Sequence, residues 1–150
     1  MTIFAENGRM ELAFNKILKK DLFIMIPFLQ ELGEVQTDEA LLKTRLSEMF
    51  DQNYECFGVY LKDELIGIFG LWIMTRHYAG KSCEPDHVYI KTELQNSGIG
   101  KEILQFIFDY ASGQGCEMAE LNSYVNNFKS HKFYMNHGYE IKGYHFLKKL

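Results

Sequence analysis

One segment, Gln95-Asn96-Ser97-Gly98-Ile99-Gly100-Lys101, constrains this chain more than any other. Its two glycines, one residue apart, stand between a strand-like run, Asp86–Lys91, and an amphipathic helix. In that helix Ile99, Ile103, Phe106, Ile107 and Tyr110 recur on one face, with the spacing of an α-helix. A glycine turn feeding a helix presents several backbone N–H groups at the positive end of the helix dipole, which is a phosphate site. Lys101 fits that reading, because a cation in the first turn opposes the dipole unless an anion lies nearby. A solvated lysine and an ordinary tight turn are the alternatives, and the turn alone does not say which phosphate ligand is meant.

The rest of the chain narrows the classes of function. A chain of 150 residues that is 47% hydrophobic and 24% charged can bury one core and is far from the disordered range. Net charge is −4, and no basic run exceeds Lys19-Lys20 or Lys148-Lys149, so bulk electrostatics does not point to nucleic acid as a partner. The three cysteines, Cys56, Cys83 and Cys116, are odd in number and form no CxxC pair, which points to reduced thiols and a cytoplasmic setting. The apolar run Leu22–Leu29 is too short to span a bilayer, and no signal peptide is readable, so no membrane partner is expected.

The order of elements predicts one α/β domain over residues 1–150. Met10–Ile17 reads as a first strand, Asp21 as the cap of a helix to about Leu32, and Thr37 as the cap of a helix over Asp38–Phe50. Glu55–Leu61 and Leu65–Met74 form a hairpin broken at Lys62-Asp63-Glu64, followed by a polar loop, Arg76–Ser82. A strand over about Glu84–Lys91 leads to the glycine turn, and Gly113 and Gly115 end the helix after it. Met118–Val125 is expected as a strand, Ser130–Asn136 as a short helix, and Tyr139–Leu147 as a closing strand.

Gln95–Gly100 carries the pattern Q/R-x-x-G-x-G/A. A second block places Asn127 seven residues before Tyr134 and a Gly-aromatic pair soon after, in His137-Gly138-Tyr139. Together, and in this order, the two blocks resemble the GNAT superfamily of N-acetyltransferases. Asn96 departs where many members carry a glycine, and Ser130 where alanine is usual. The tail Glu120–Leu150 is similar to aminoalkylphosphonate and small-amine N-acetyltransferases. The resemblance implies a mixed, mostly antiparallel sheet flanked by helices. It also implies acetyl-coenzyme A as donor and direct attack within a ternary complex. Backbone groups of Val88, Tyr89 and Ile90 would hold the pantetheine arm, and the amides of Gln95, Asn96, Ser97, Gly98, Ile99, Gly100 and Lys101 the pyrophosphate. Asn127 would contact the arm, or else cap the helix that follows.

Acetylation of an amine also needs a base and an acid. A free amine has a pKa of about 10 and arrives protonated. Glu84 lies eleven residues before Gln95, the spacing of the family's strand carboxylate; Asp86 and His87 compete for the role. Tyr134 occupies the motif's tyrosine position, whose hydroxyl would protonate the leaving thiolate; a core tyrosine is the alternative. His77, His87, His131, His137 and His145 show no tight metal-ligand spacing, so no metal is expected, and Cys116 reads as a buried hydrophobe rather than a nucleophile. Phe28, Glu31, Trp72, Arg76, Tyr78 and Tyr144 are candidate walls for the acceptor, with Arg76 suited to an anionic group on it. The expected acceptor is a small-molecule amine. A protein lysine or N-terminus, and a non-catalytic acetyl-coenzyme A sensor, are the competing readings, and a homodimer is the one assembly left open.

Overall fold

Branched and aromatic residues crowd the middle of the chain, and there the sheet forms. The computed structural model describes residues 2–3, 11–33 and 36–150. Six strands lie side by side in chain order: β1 (Thr2–Ile3), β2 (Leu12–Ile17), β3 (Tyr54–Leu61), β4 (Glu64–Arg76), β5 (Gly80–Ile90) and β6 (Met118–Ala119). Every neighbouring pair is antiparallel except β5 and β6, which are parallel. Four α-helices accompany them among the described residues: α1 (Ile26–Leu32), α2 (Glu39–Phe50), α3 (Ile99–Gly113) and α4 (Phe128–Asn136). The α/β class and the mixed, mostly antiparallel sheet expected from the sequence are both present.

The sheet is buried on both faces. On one, the apolar stripe of α3 (Ile99, Ile103, Leu104, Phe106 and Ile107) packs against Leu12, Phe14, Phe57 and Phe69. Phe14 stacks on Phe106 at 4.6 Å between ring centroids, and Phe57 on Phe69 at 5.2 Å. On the other, Met25, Ile26 and Leu46 from the α1 and α2 region cover Tyr54, Cys56 and Ile68. Each such fully buried side chain contributes about 1.5–3 kcal/mol relative to exposure. The α3 stripe is therefore what fastens the glycine turn to the sheet.

Several boundaries differ from expectation. Asp21 caps no helix: the chain runs through a 3-10 segment, Lys19–Met25, in which the Asp21 amide donates to the Leu18 carbonyl at 2.8 Å. The α-helix starts only at Ile26, where Pro27, lacking an N–H, fits the first turn. The cap of α2 is Asp38 rather than Thr37, its carboxylate accepting from the Leu41 amide at 3.1 Å. The first internal strand begins at Leu12, and Met10 lies outside the described residues. The polar loop shrinks to 77–79, because Arg76 pairs with Gly80 and Ser82 with Met74.

The C-terminal part departs most. Of the expected strand Met118–Val125, only Met118 and Ala119 pair with β5, and Tyr124 and Val125 are exposed. Tyr139–Leu147 joins no ladder, and Ile141, Tyr144, Phe146 and Leu147 are all exposed. Alternating apolar residues give a segment the ability to pair but supply no edge to pair with. The parallel ladder stops after the Glu120 amide reaches the Cys83 carbonyl at 2.9 Å.

Candidate active site

The site is built where β5 loses its partners. Between the pairs Ile68–Tyr89 and Gly70–Asp86, β4 contributes one residue, Phe69, and β5 two, His87 and Val88. This is a β-bulge, which bends a strand and releases backbone groups from its ladder. On the other side β6 pairs no further than Cys83. Among the described residues, β5 from Glu84 to Ile90 therefore has no strand on its second edge. Val88, Tyr89 and Ile90, expected to hold an amide-bearing arm, all lie on this open stretch.

The chain then turns through the 3-10 segment Thr92–Leu94 into the glycine loop. Gln95 reaches back, its Nε2 donating to the Ile90 carbonyl at 3.0 Å, and Ser97 Oγ donates to the Leu94 carbonyl at 2.5 Å. Gly98 occupies the N-cap of α3 with φ +91°, a left-handed conformation that costs a residue with a Cβ about 1–2 kcal/mol. Gly100 meets α4: a Cβ there would lie 3.1 Å from the Phe133 ring. No side chain caps α3, so its first amides face outward. Lys101 is exposed and forms no ion pair among the described residues. The loop is thus stapled from behind by Gln95 and Ser97 while its front is bare backbone.

Across the sheet, on the face covered by α1 and α2, side chains replace backbone. Glu84 stands opposite Trp72, and Asp86 opposite Gly70. Asn122 Nδ2 donates to Glu84 Oε1 at 2.7 Å, and Arg76 Nη2 lies 3.5 Å from Glu84 Oε2. Arg76 Nε is also paired with Glu120. Burial pushes the Glu84 carboxyl above its ordinary range and Glu120 adds to the rise; the Asn122 bond and Arg76 oppose it. Trp72 Nε1 donates to Asp86 Oδ2 at 3.0 Å, and the His87 amide to Asp86 Oδ1 at 2.8 Å. His87 Nε2 bonds the Tyr54 hydroxyl. Desolvation lowers the His87 pKa, against the pull of Asp86, so the ring is neutral at physiological pH.

Phe28, Glu31 and Trp72 lie on this face: Phe28 and Trp72 pack against the same core cluster, Phe28 lies 6.0 Å from the Tyr89 ring, and the Tyr89 hydroxyl donates to Glu31. Tyr78 and Tyr144 do not join them; each is largely exposed, one on the β4–β5 turn and one in the unpaired tail. Arg76 is at hand, but two carboxylates already engage it, which removes the free cation that an anionic acceptor would need.

Tyr134 lies on α4, on the α3 side of the sheet, with its ring 5.3 Å from Phe133 and 5.5 Å from Tyr139. Its hydroxyl has no hydrogen-bond partner among the described residues, and burial raises its pKa. Asn127 caps α4, Oδ1 accepting from the Ser130 amide at 3.2 Å. The thiols are poor nucleophiles: burial pushes Cys83 up to about 11 and Cys56 to about 12, and raises Cys116. Sequence reasoning missed Tyr54, Asn122 and Glu120, whose only signal is proximity in space.

The comparisons with known proteins follow this geometry. A family model described as Acetyltransferase (GNAT) family matches residues 20–139. No curated protein matches the chain. Among solved structures, an aminoglycoside acetyltransferase, meta-AAC0020, from an uncultured soil metagenomic sample is similar at 19% identity and TM-score 0.73. The match covers 93% of this chain and 96% of that one. The ribosomal-protein-alanine N-acetyltransferase from Brucella melitensis biovar Abortus 2308 is 15% identical, covering 93% and 99%, with TM-score 0.76. AAC(6')-Iy, in complex with the bisubstrate analog CoA-S-monomethyl-acetylneamine, is 15% identical over 93% and 98%, with TM-score 0.77. At these identities the likeness is one of fold.

Proposed function

The chain belongs to the Acetyltransferase (GNAT) family, and we propose that residues 1–150 form its catalytic domain, acetylating a primary amine of a small molecule. As an acetyl-CoA-dependent N-acetyltransferase it uses acetyl-CoA as co-substrate, which supplies the acetyl thioester. The residues present fit that group. The uncapped start of α3, opened by Gly98, and the exposed Lys101 suit a pyrophosphate. The open edge at Val88, Tyr89 and Ile90 suits an amide-bearing arm, and Asn127 keeps its side-chain N–H groups for it while Oδ1 caps α4.

The single observation that carries the reading is the bulged, one-sided end of β5 running into an uncapped helix. Glu84 takes the proton of the acceptor ammonium, directly or through water; its raised pKa makes it a better base than an ordinary carboxylate. The neutral amine would then attack the thioester carbonyl; as the C–S bond breaks, the Tyr134 hydroxyl would give its proton to the departing sulfur, and the proton shed by the new amide nitrogen would restore the tyrosine through solvent. No cysteine thiolate is on hand to carry the acetyl group, which favours direct attack over a covalent relay.

Glu31, Glu84, Asp86 and Glu120 surround the acceptor face, and Arg76 is neutralised by two of them. A cationic acceptor carrying more than one amine suits that field better than a phosphonate or carboxylate. The aminoglycoside acetyltransferase meta-AAC0020 among the similar folds is in line with this choice. The free thiols, two of them buried, agree with a reducing cytoplasm. The deciding experiment measures thiol release from acetyl-CoA across mono-, di- and polyamines. Turnover that favours polyamines supports the reading; tight cofactor binding with no turnover on any amine overturns it in favour of a sensor.

A further inference from the structure

His87 occupies a backbone conformation that its side chain does not favour. Its φ is +35°, within the left-handed region that residues with a Cβ avoid. It is also one of the two β5 residues that form the bulge opposite Phe69. Something must hold it there, and three strands contribute. On β5 itself, Asp86 Oδ1 accepts from the His87 amide, while Trp72 on β4 fixes the other oxygen of the same carboxylate. On β4, Gly70 leaves room: a Cβ at that position would lie 2.3 Å from His87 Nε2 and 2.7 Å from the Tyr54 ring. On β3, the Tyr54 hydroxyl bonds Nε2 across that gap.

The histidine as a whole is half-buried, yet its Nδ1 is shut off from solvent and has no hydrogen-bond partner among the described residues. Among the described residues, Tyr54 is therefore the ring's only polar anchor. Tyr54 is itself fixed, 5.4 Å from Phe50 of α2 and 4.9 Å from Trp72. Burial raises its pKa strongly, so its hydroxyl stays protonated. A rigid tyrosine thus grips a histidine whose backbone would otherwise relax toward negative φ. Relaxation would leave the extra residue on β5 but change the shape of the bulge and rotate the backbone groups of Val88 and its neighbours.

We propose that the Tyr54–His87 hydrogen bond is a lock, reaching from β3 to β5 over Gly70, that holds the β5 bulge in its strained conformation. His87 is thereby a positioning residue for the cofactor arm. The inference rests on the reading above that the arm lies along Val88–Ile90. It differs from assigning His87 as the base, since the ring acts through the backbone rather than on the acceptor.

The test uses the full chain and titrates coenzyme A by calorimetry, with a thermal melt on each variant to establish folding. Tyr54→Phe and His87→Ala each weaken coenzyme A binding about tenfold, because the strained backbone loses its anchor. His87→Gly stays within about threefold of wild type, since glycine adopts positive φ without restraint. Tyr54→Phe added to His87→Gly weakens binding no further, because the tyrosine then has nothing to hold. A packing role for the ring predicts the reverse order, with glycine no better than alanine, and that result overturns the lock. Unchanged affinity in Tyr54→Phe also overturns it while leaving the cofactor reading intact. If wild type itself does not bind coenzyme A, both fall. Should Tyr54→Phe not fold, the alanine and glycine variants of His87 decide alone.

Discussion

The start of α3 and the bulged end of β5 are near neighbours in the chain but are made of different material. At α3 the working surface is backbone: Gly98 turns the chain, no side chain caps the amides, and Gln95 and Ser97 brace the loop from behind. On the β5 face the working surface is side chains, each tied to another: Glu84 to Asn122 and Arg76, Asp86 to Trp72, His87 to Tyr54. Under the proposed function, the first kind of site would recognise a feature every donor molecule shares, for which a bare helix terminus is enough. The second would have to distinguish acceptors and move a proton, which needs side chains held at fixed angles. Substitutions should therefore separate the two regions cleanly.

The largest effects are expected on rate, from the side-chain region. Glu84→Gln should lower kcat/KM by about 10²–10⁴, the range for losing a general base, with coenzyme A affinity unchanged. The pH profile of wild type should rise through a pKa above the ordinary carboxylate value, because Glu84 as the proposed base would act only when ionised and its burial raises that pKa. Tyr134→Phe should slow turnover by roughly 10² with little change in cofactor affinity. An unimpaired rate in steady-state assays would remove that hydroxyl from the acid role.

Backbone effects come next. Gly98→Ala should destabilise the fold by about 1–2 kcal/mol in denaturant titration and weaken coenzyme A binding, because φ +91° resists a Cβ. Gly113→Ala, at the far end of the same helix with nothing within 4 Å of an added Cβ, should be neutral or stabilising by about 0.4–1 kcal/mol. Equal losses at both positions would dissolve the contrast between a special start and an ordinary end of α3.

The smallest effect concerns pH and stability. The native His87 ring stays neutral below the unfolded-state pKa of about 6.5, where the unfolded chain takes up a proton. Stability should therefore fall as pH drops through that value, by up to about 1.4 kcal/mol per unit from this residue. Glu84 works in the opposite sense near its own raised pKa, since protonation relieves its desolvation. His87→Gln should flatten the loss between pH 6.5 and 5.5 in thermal melts, and an unaltered slope would contradict the assignment.

Much of this architecture is legible as local pattern. The stripe of α3, the β3–β4 hairpin and the glycine loop each depend on residues within a few positions of one another. The motif residues Gln95, Asn127 and Tyr134 are readable for the same reason, although Gln95 turns out to brace the loop through Ile90. Thr37 and Asp38 are both good caps, and the choice between them rests on where the first helical turn falls. The tail misleads because Tyr139–Leu147 has the alternation of a strand, while the parallel pairing of β5 and β6 ends two residue pairs after it begins.

Local spacing was enough to establish the α/β class and the helix that carries the loop, because periodicity and turn chemistry are short-range; the residues proposed for acetyl transfer came from the resemblance of two motifs to a known family. The folded sheet assigned those residues their circumstances. It set His87 beside Tyr54 from another strand, closed Glu84 and Glu120 on Arg76, bulged β5 against β4, and left its other edge open where β6 stops at Cys83. Those are consequences of register and of what is buried against what, and both are set by contacts between residues far apart along the chain.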